Sequence, residues 1–285
     1  MKKAFFLVLF FMLLAGINLT SYSQVLEGPP RDGVYDKTAI TQVQPIPYPY
    51  LREADIIWTK RIWRVVDMRE KMNQPFYFPE KPQNNWRSLV TIIMDGLKEG
   101  TITAYAGESD QFLVPMTYKE LTDKLDWDET VKLPRPDNPD VSFDTVIHHT
   151  FDPSNVKKLD IKEDFYFDRQ RSVFEVRILG ICPVVNVNDK NTGEFRFEKQ
   201  LFWIYFPECR NLFAKNELFN LKNGSAGRMS YDDVFMKRMF SSYVYKEENV
   251  YDRSIKDYAV GTDALLEAEK AKNTLFDFEQ NLWEY

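Results

Sequence analysis

One hexapeptide limits the folds open to this chain more than any other stretch: Leu201-Phe202-Trp203-Ile204-Tyr205-Phe206. In an extended strand successive side chains point to opposite faces, so Phe202, Ile204 and Phe206 take one side and Leu201, Trp203 and Tyr205 the other. Such a strand is apolar on both sides, and both must be covered, by helices or by another subunit. Around it, the runs Asp164 to Phe167, Val173 to Ile181, Val184 to Val187 and Phe195 to Phe206 are rich in aromatic and β-branched residues, and residues 189–193 have turn chemistry. A sheet of antiparallel strands is expected. With 44% hydrophobic and 15% aromatic residues among 285, the material for a core is ample, which excludes disorder for most of the chain.

Helical spacing appears elsewhere. Trp58, Ile62, Val65, Val66 and Met72 recur at threes and fours, which predicts a helix over Asp55 to Met72 ended by Pro75, with Asp67 to Lys71 fitting i,i+4 ion pairs. On that helix Trp58 and Trp63 would stand about 140° apart, so Trp63 becomes a candidate interface residue. A second helix is expected from about Asn85 to Lys98, stopped by Gly100, then short strands at 101–105 and 111–114 and a helix at Tyr118 to Leu125. The proline-rich stretch from Leu133 to Pro139 reads as a loop and places a possible boundary near 133–142. Ser230 with Asp233 opens a further helix through a capping-box variant. The last helix starts after Thr262 and carries Ala264, Ala268, Ala271, Leu275, Phe278 and Leu282 on a seam of period 3.5, with Trp283 at its edge. The predicted class is therefore α+β: an antiparallel sheet covered by helices over residues 51–285, preceded by an extended proline-rich N-terminal arm.

That arm spans residues 24–50 and follows a segment, 1–23, with the form of a signal peptide: Lys2-Lys3, an apolar run from Ala4 to about Ile17, and small residues Ser21 and Ser23 before the expected cut. The run is shorter than the ~20 residues of a membrane-spanning helix, and no later window offers ~18 consecutive apolar residues, so no membrane insertion is expected. No cysteine stands near the cut to carry a lipid. In the arm, Pro45, Pro47 and Pro49 alternate with Ile46, Tyr48 and Tyr50, which forbids helix or central strand and favours polyproline-like extension. Two readings stand side by side: a solvated tether, or a strip laid along a neighbouring subunit, since Ile46, Tyr48 and Tyr50 are costly to leave in water. The net charge of −6, deepened by two when Lys2 and Lys3 are removed, makes nucleic acid an unsuitable partner. Cys182 and Cys209 could bridge in an oxidising compartment. A hairpin about 189–193 sets Cys182 opposite Leu201, however, and puts Cys209 too far along at ~3.3 Å per residue for a Cα separation under ~7 Å. No bridge between the two is expected, with an intermolecular bond or two buried thiols as the alternatives.

Signatures of chemistry are sparse. The two histidines, His148 and His149, are adjacent and would face opposite sides of a strand, so they cannot easily share a metal. Neither a nucleophile elbow nor a phosphate-binding loop occurs. Acidic runs at Asp126 to Glu129 and Glu247-Glu248 fit solvated faces better than paired acids and bases. A non-enzymatic interaction subunit without metal or cofactor is expected, against the alternatives of a periplasmic hydrolase or a small-ligand binding module.

Several motifs resemble one known family. Trp58-Thr59-Lys60-Arg61-Ile62-Trp63-Arg64, Asp67 to Asn73 and Pro75-Phe76-Tyr77-Phe78-Pro79 are similar to the N-terminal signature of the gliding-motility family GldN, also called PorN. Trp203 to Arg210, Tyr231 to Phe235, Asn249 to Ile255 and the Trp283-Glu284-Tyr285 ending extend the resemblance along the chain. The resemblance implies a periplasmic component of the type IX secretion and gliding machinery. It implies a ring built from neighbouring copies with the outer-membrane lipoprotein GldK/PorK, and contact with the periplasmic region of GldM/PorM. A chain without its own lipid would then be held at the inner face of the outer membrane through that lipoprotein. The residues offered to partners are Ile46, Tyr48, Tyr50, Trp63 and Trp283; no catalytic residue is implied.

Overall fold

A computed structural model gives the fold over residues 42–83, 86–135, 138–189, 194–220 and 224–282. The signal segment, its cut, the first part of the arm and Trp283 lie outside these residues.

The segment expected to be the first helix is instead a twelve-residue strand, β1 (Ile56–Asp67). Its even positions Ile62 and Val66 face the helical layer, but Arg64 lies between them on the same side, buried. That charge on the core face hides the period of two and leaves a spacing that mimics a helix. Asp67 and Arg69 accordingly pair across the turn that ends the strand, not along a helix.

From β1 the chain runs through α1 (Gln74–Tyr77), α2 (Leu89–Glu99), β2 (Ala104–Ala106), β3 (Pro115–Met116) and α3 (Tyr118–Leu125). Next come β4 (Trp127–Arg135), β5 (Asn138–His149), β6 (Val156–Asp168), β7 (Val173–Asn188), β8 (Phe195–Gln200) and β9 (Phe202–Tyr205). The chain continues with α4 (Phe206–Ala214), β10 (Glu217–Asn220), β11 (Gly224–Ser230), α5 (Tyr231–Met236), β12 (Tyr243–Glu247) and α6 (Thr262–Asn281). Local signals set several ends. Gly100 caps α2 at φ 70°, Thr117 and Glu120 close a capping box on α3, and Ser230 with Asp233 does the same for α5.

Eight strands form one antiparallel sheet in the order β12-β1-β6-β7-β9-β2-β3, with β8 also paired to β7. Of the stretch expected as a loop at 133–139, residues 133–135 and 138–139 belong instead to a separate two-stranded sheet of β4 and β5, in which Pro134 sits opposite Ser142. With a single partner each, these strands have backbone donors to spare, so proline is tolerated.

Both faces of the main sheet are covered from within the chain. On one, Val66, Leu159, Ile161, Ile181, Phe202 and Ile204 pack under Leu89, Ile92 and Ile93 of α2, Phe206 and Phe213 of α4 and Phe235 of α5. Toward the start of β1 the cover passes to α6, where the Ala264, Ala268, Ala271 and Leu275 seam meets Ile62, Phe165 and Val244, and Phe278 stacks on Trp58 at 4.2 Å. The seam is thus spent inside the chain. On the other face Trp63, Cys182 and Trp203 cluster with Tyr105, Phe112 and Tyr245. Cys182 and Cys209 are free, buried thiols in different elements, β7 and α4.

Between the two clusters of the helical side sits Glu163, 0% exposed, which accepts from Arg64 Nε at 3.0 Å and from Arg238 Nη1 and Nη2 at 2.9 and 3.1 Å. Burial pulls the Arg64 guanidinium below the usual arginine range, opposed by the Glu163 charge. Deleting one member strands the others in a dry site, which costs more than the intact group contributes. Glu163→Ala is therefore expected to lower unfolding stability by about 3–5 kcal/mol, read as a fall in the urea midpoint. Thiol titration is expected to find both cysteines unreactive in the native chain and reactive in denaturant, at a mass showing no loss of two hydrogens.

Candidate interaction surface

The end of the arm docks on its own chain through Tyr48. Its ring lies between two guanidiniums, Arg210 at 4.4 Å and Arg177 at 4.9 Å, and its hydroxyl reaches Met236 Sδ at 3.7 Å. Arg177 Nη2 also donates to the Pro49 carbonyl at 2.7 Å. Arg210 is held in turn by buried Asp232, with Nε to Oδ1 at 2.9 Å and Nη2 to Oδ2 at 3.1 Å. Burial pushes the Tyr48 phenol above its ordinary pKa, against the pull of Arg210. Ile46 and Tyr50 remain 81% and 86% exposed. An alternating-proline chain of three residues per turn separates positions i and i+2 by about 240°, so seating Tyr48 turns its neighbours to water.

Trp63 is placed differently from expectation. It is 6% exposed and donates its indole N–H to Asp110 Oδ2 at 2.7 Å, with Lys246 over its ring at 4.4 Å. On a helix Trp63 would point outward. In the strand, the odd spacing to Trp58 puts the two rings on opposite faces, each covered by its own chain. Asp110 also binds Lys162 Nζ, through its carbonyl at 2.8 Å and Oδ2 at 3.1 Å, and so clasps the β2–β3 connection to the sheet. Phe112 of this connection sits over Gly180, where a Cβ would come within 2.5 Å of its ring.

Beside this clasp opens a cleft of about 630 Å³, lined among others by Val65, Leu121, Asp160, Gln200 and Tyr245. Gln200 Nε2 donates to Asp160 Oδ2 at 2.7 Å, and Lys158 pairs with Glu198 at 2.6 Å. Burial pushes the Asp160 carboxyl up to about 6, with Gln200 pulling the other way. The histidines lie elsewhere, on β5. Exposed His148 bonds Asp128, while His149 stacks on Trp127 at 4.1 Å, so the neighbours do face apart. Of the acidic residues, Asp126 accepts from the Phe151 amide, Glu247 pairs with Lys60 and Glu248 accepts from the Arg61 amide. Among the described residues no group of three or more His, Cys, Asp or Glu side chains could hold a metal.

Apolar side chains left in water lie on well-held elements that sequence reasoning passed over. Asn249 closes a loop after β12: its Nδ2 donates to the Glu247 and Arg253 carbonyls, and its Oδ1 accepts from the Tyr251 and Arg253 amides. The tip of that loop presents Val250, 98% exposed, and Tyr251. On α6, Leu265, Leu266 and Phe276 point outward, and Val146 and Ile147 do so on β5. The signal for the α6 trio was present, since three bulky apolar residues fall outside the seam.

The family model described as gliding motility associated protein GldN matches residues 51–284, which leaves the arm outside the match. No curated protein matches the chain.

Asp160 gives a pH test. Its folded pKa is raised from 3.8 to about 6, so its stabilising contribution is complete below pH 4 and is lost as pH rises through 6. Asp160→Asn is expected to melt close to the wild type at pH 4 and to exceed it at pH 8, by up to about 3 kcal/mol. Thermal unfolding of both proteins across that range checks it.

Proposed function

The chain belongs to the GldN family of gliding motility associated proteins, and on that premise we propose that it is a non-catalytic structural subunit of the type IX protein secretion and gliding machinery. In this reading copies of the chain form a periplasmic ring with the outer-membrane lipoprotein GldK/PorK and contact the periplasmic region of GldM/PorM. The observation that carries it is the apolar surface left open on rigid elements: Val250 and Tyr251 on the Asn249-clamped loop, and Leu265, Leu266 and Phe276 on α6. Ordered side chains of this kind cost free energy in water and suit burial by a partner. Ile46 and Tyr50 of the arm add to that surface. None of the described helices is long and apolar enough to cross a membrane; in this reading a lipidated companion supplies the membrane attachment.

The cleft around Asp160 and Gln200 favours a second reading, a small-ligand binding module. The two readings separate experimentally. Extracted natively from cells, the chain is expected to sediment in large assemblies with a lipoprotein. Leu265→Glu combined with Phe276→Glu is expected to leave folding intact while abolishing both assembly and protein secretion. A chain that runs only as a monomer and captures no lipoprotein overturns the structural reading; loss of secretion by Asp160→Asn with assembly intact supports the second.

A further inference from the structure

The arm is held to its own chain chiefly at one residue, and the socket that holds it is built without it. Arg210 is fixed by its bidentate pair with Asp232, and Arg177 lies over the Tyr166 ring at 5.3 Å, both independent of the arm. On the arm side Tyr48 and the Pro49 carbonyl make the contacts, while Ile46 and Tyr50 on either side stay in water. The chain is firmly anchored again only at Glu53–Asp55, where the Asp55 carbonyl accepts from the Arg169 amide at 2.8 Å. Between that anchor and Tyr48 run Pro49 to Arg52, a short tether with no regular structure.

A preformed socket, a terminal plug and a short tether together make the arm exchangeable: the contacts made within one chain can be made identically with a second copy. We propose that in the assembled state Tyr48 of one chain enters the Arg177–Arg210 socket of a neighbouring copy, with Ile46 and Tyr50 closing against that neighbour. The occupant follows from the socket itself, which this same sequence already fills. What favours the exchanged form is the apolar surface of Ile46 and Tyr50, open within one chain and coverable by a second. The tether sets a limit. At ~3.1 Å per residue in polyproline-like extension, the neighbour's socket must lie within about 15 Å of Glu53. This inference rests on the self-assembly proposed above.

Complementation between full-length variants tests it. Tyr48→Ala loses the plug and keeps the socket; Arg177→Ala keeps the plug and weakens the socket. Because each variant loses the contact in the closed and the exchanged form alike, each alone is expected to assemble at close to the wild-type concentration. Mixed, they are expected to assemble at about tenfold lower concentration than either parent, because the good plug of one meets the good socket of the other, a cation–π contact that neither closed chain makes. Assembly by the mixture no better than by either parent overturns the exchange.

A second measurement reads the contact directly in assemblies isolated from cells. A photoactivatable phenylalanine analogue replaces Ile46 in one copy, and a co-expressed copy carries Lys237→Arg as a mass mark on the peptide that contains Met236. Cross-links from position 46 to the marked peptide are expected; cross-links confined to the unmarked peptide, in material that sizing shows to be oligomeric, overturn the proposal while leaving the ring reading intact. A chain that never assembles overturns both.

Discussion

A sheet that is apolar on both sides must be covered twice, and most of this architecture answers that requirement. Phe202 and Ile204 on β9 point into the layer made by α2, α4 and α5, while Trp203 points into the cluster with Trp63 and Cys182. Helices supply the first cover because their apolar stripes are wide enough to meet a sheet. The second is supplied by a connection between two short strands, which has little apolar area of its own. It is held by polar contacts instead: Asp110 takes the Trp63 indole N–H and the Lys162 ammonium, and Phe112 occupies the space that Gly180 leaves free. Short loops covering a sheet this way need a fixed register, and Asp110 provides it.

The same division explains where the buried charges fall. Glu163 with Arg64 and Arg238 separates the part of the helical side covered by α2, α4 and α5 from the part covered by α6. Paired and hydrogen-bonded, these groups avoid most of the cost of burial. Asp160, on the opposite face, is buried with the Gln200 amide on its carboxyl in place of a cation, so loss of hydration of its charged form keeps the proton on to a higher pH. A charged group on a core strand is therefore either tied to a partner or titrated.

Much of the fold was legible because it depends on local chemistry. Gly100 at the end of α2, the span of α3, the box at Ser230 and the start of α6 after Thr262 are set by residues within a turn or so of each other. The family resemblance, drawn from motifs spread along the chain, agrees with the match over residues 51–284. The errors came where polar residues interrupt a strand. Arg64 disguised β1 as a helix, Lys157, Lys158, Asp160 and Lys162 concealed the first half of β6, and prolines concealed the end of the β4–β5 pair. Each of these residues is explained only by what stands across from it.

By itself, then, the amino-acid order determined which segments are apolar, where helices are capped and to which family the chain belongs, since all three are written in residue type and short spacing. Tertiary structure alone decided that Trp63 is buried, that Arg64 is tolerated in a core strand, and that Tyr48 turns inward while Ile46 and Tyr50 turn outward. The reason is range. Arg64 meets Glu163 across 99 positions, and the Pro49 carbonyl meets Arg177 across 128. No periodicity read along the chain encodes a partner that distant.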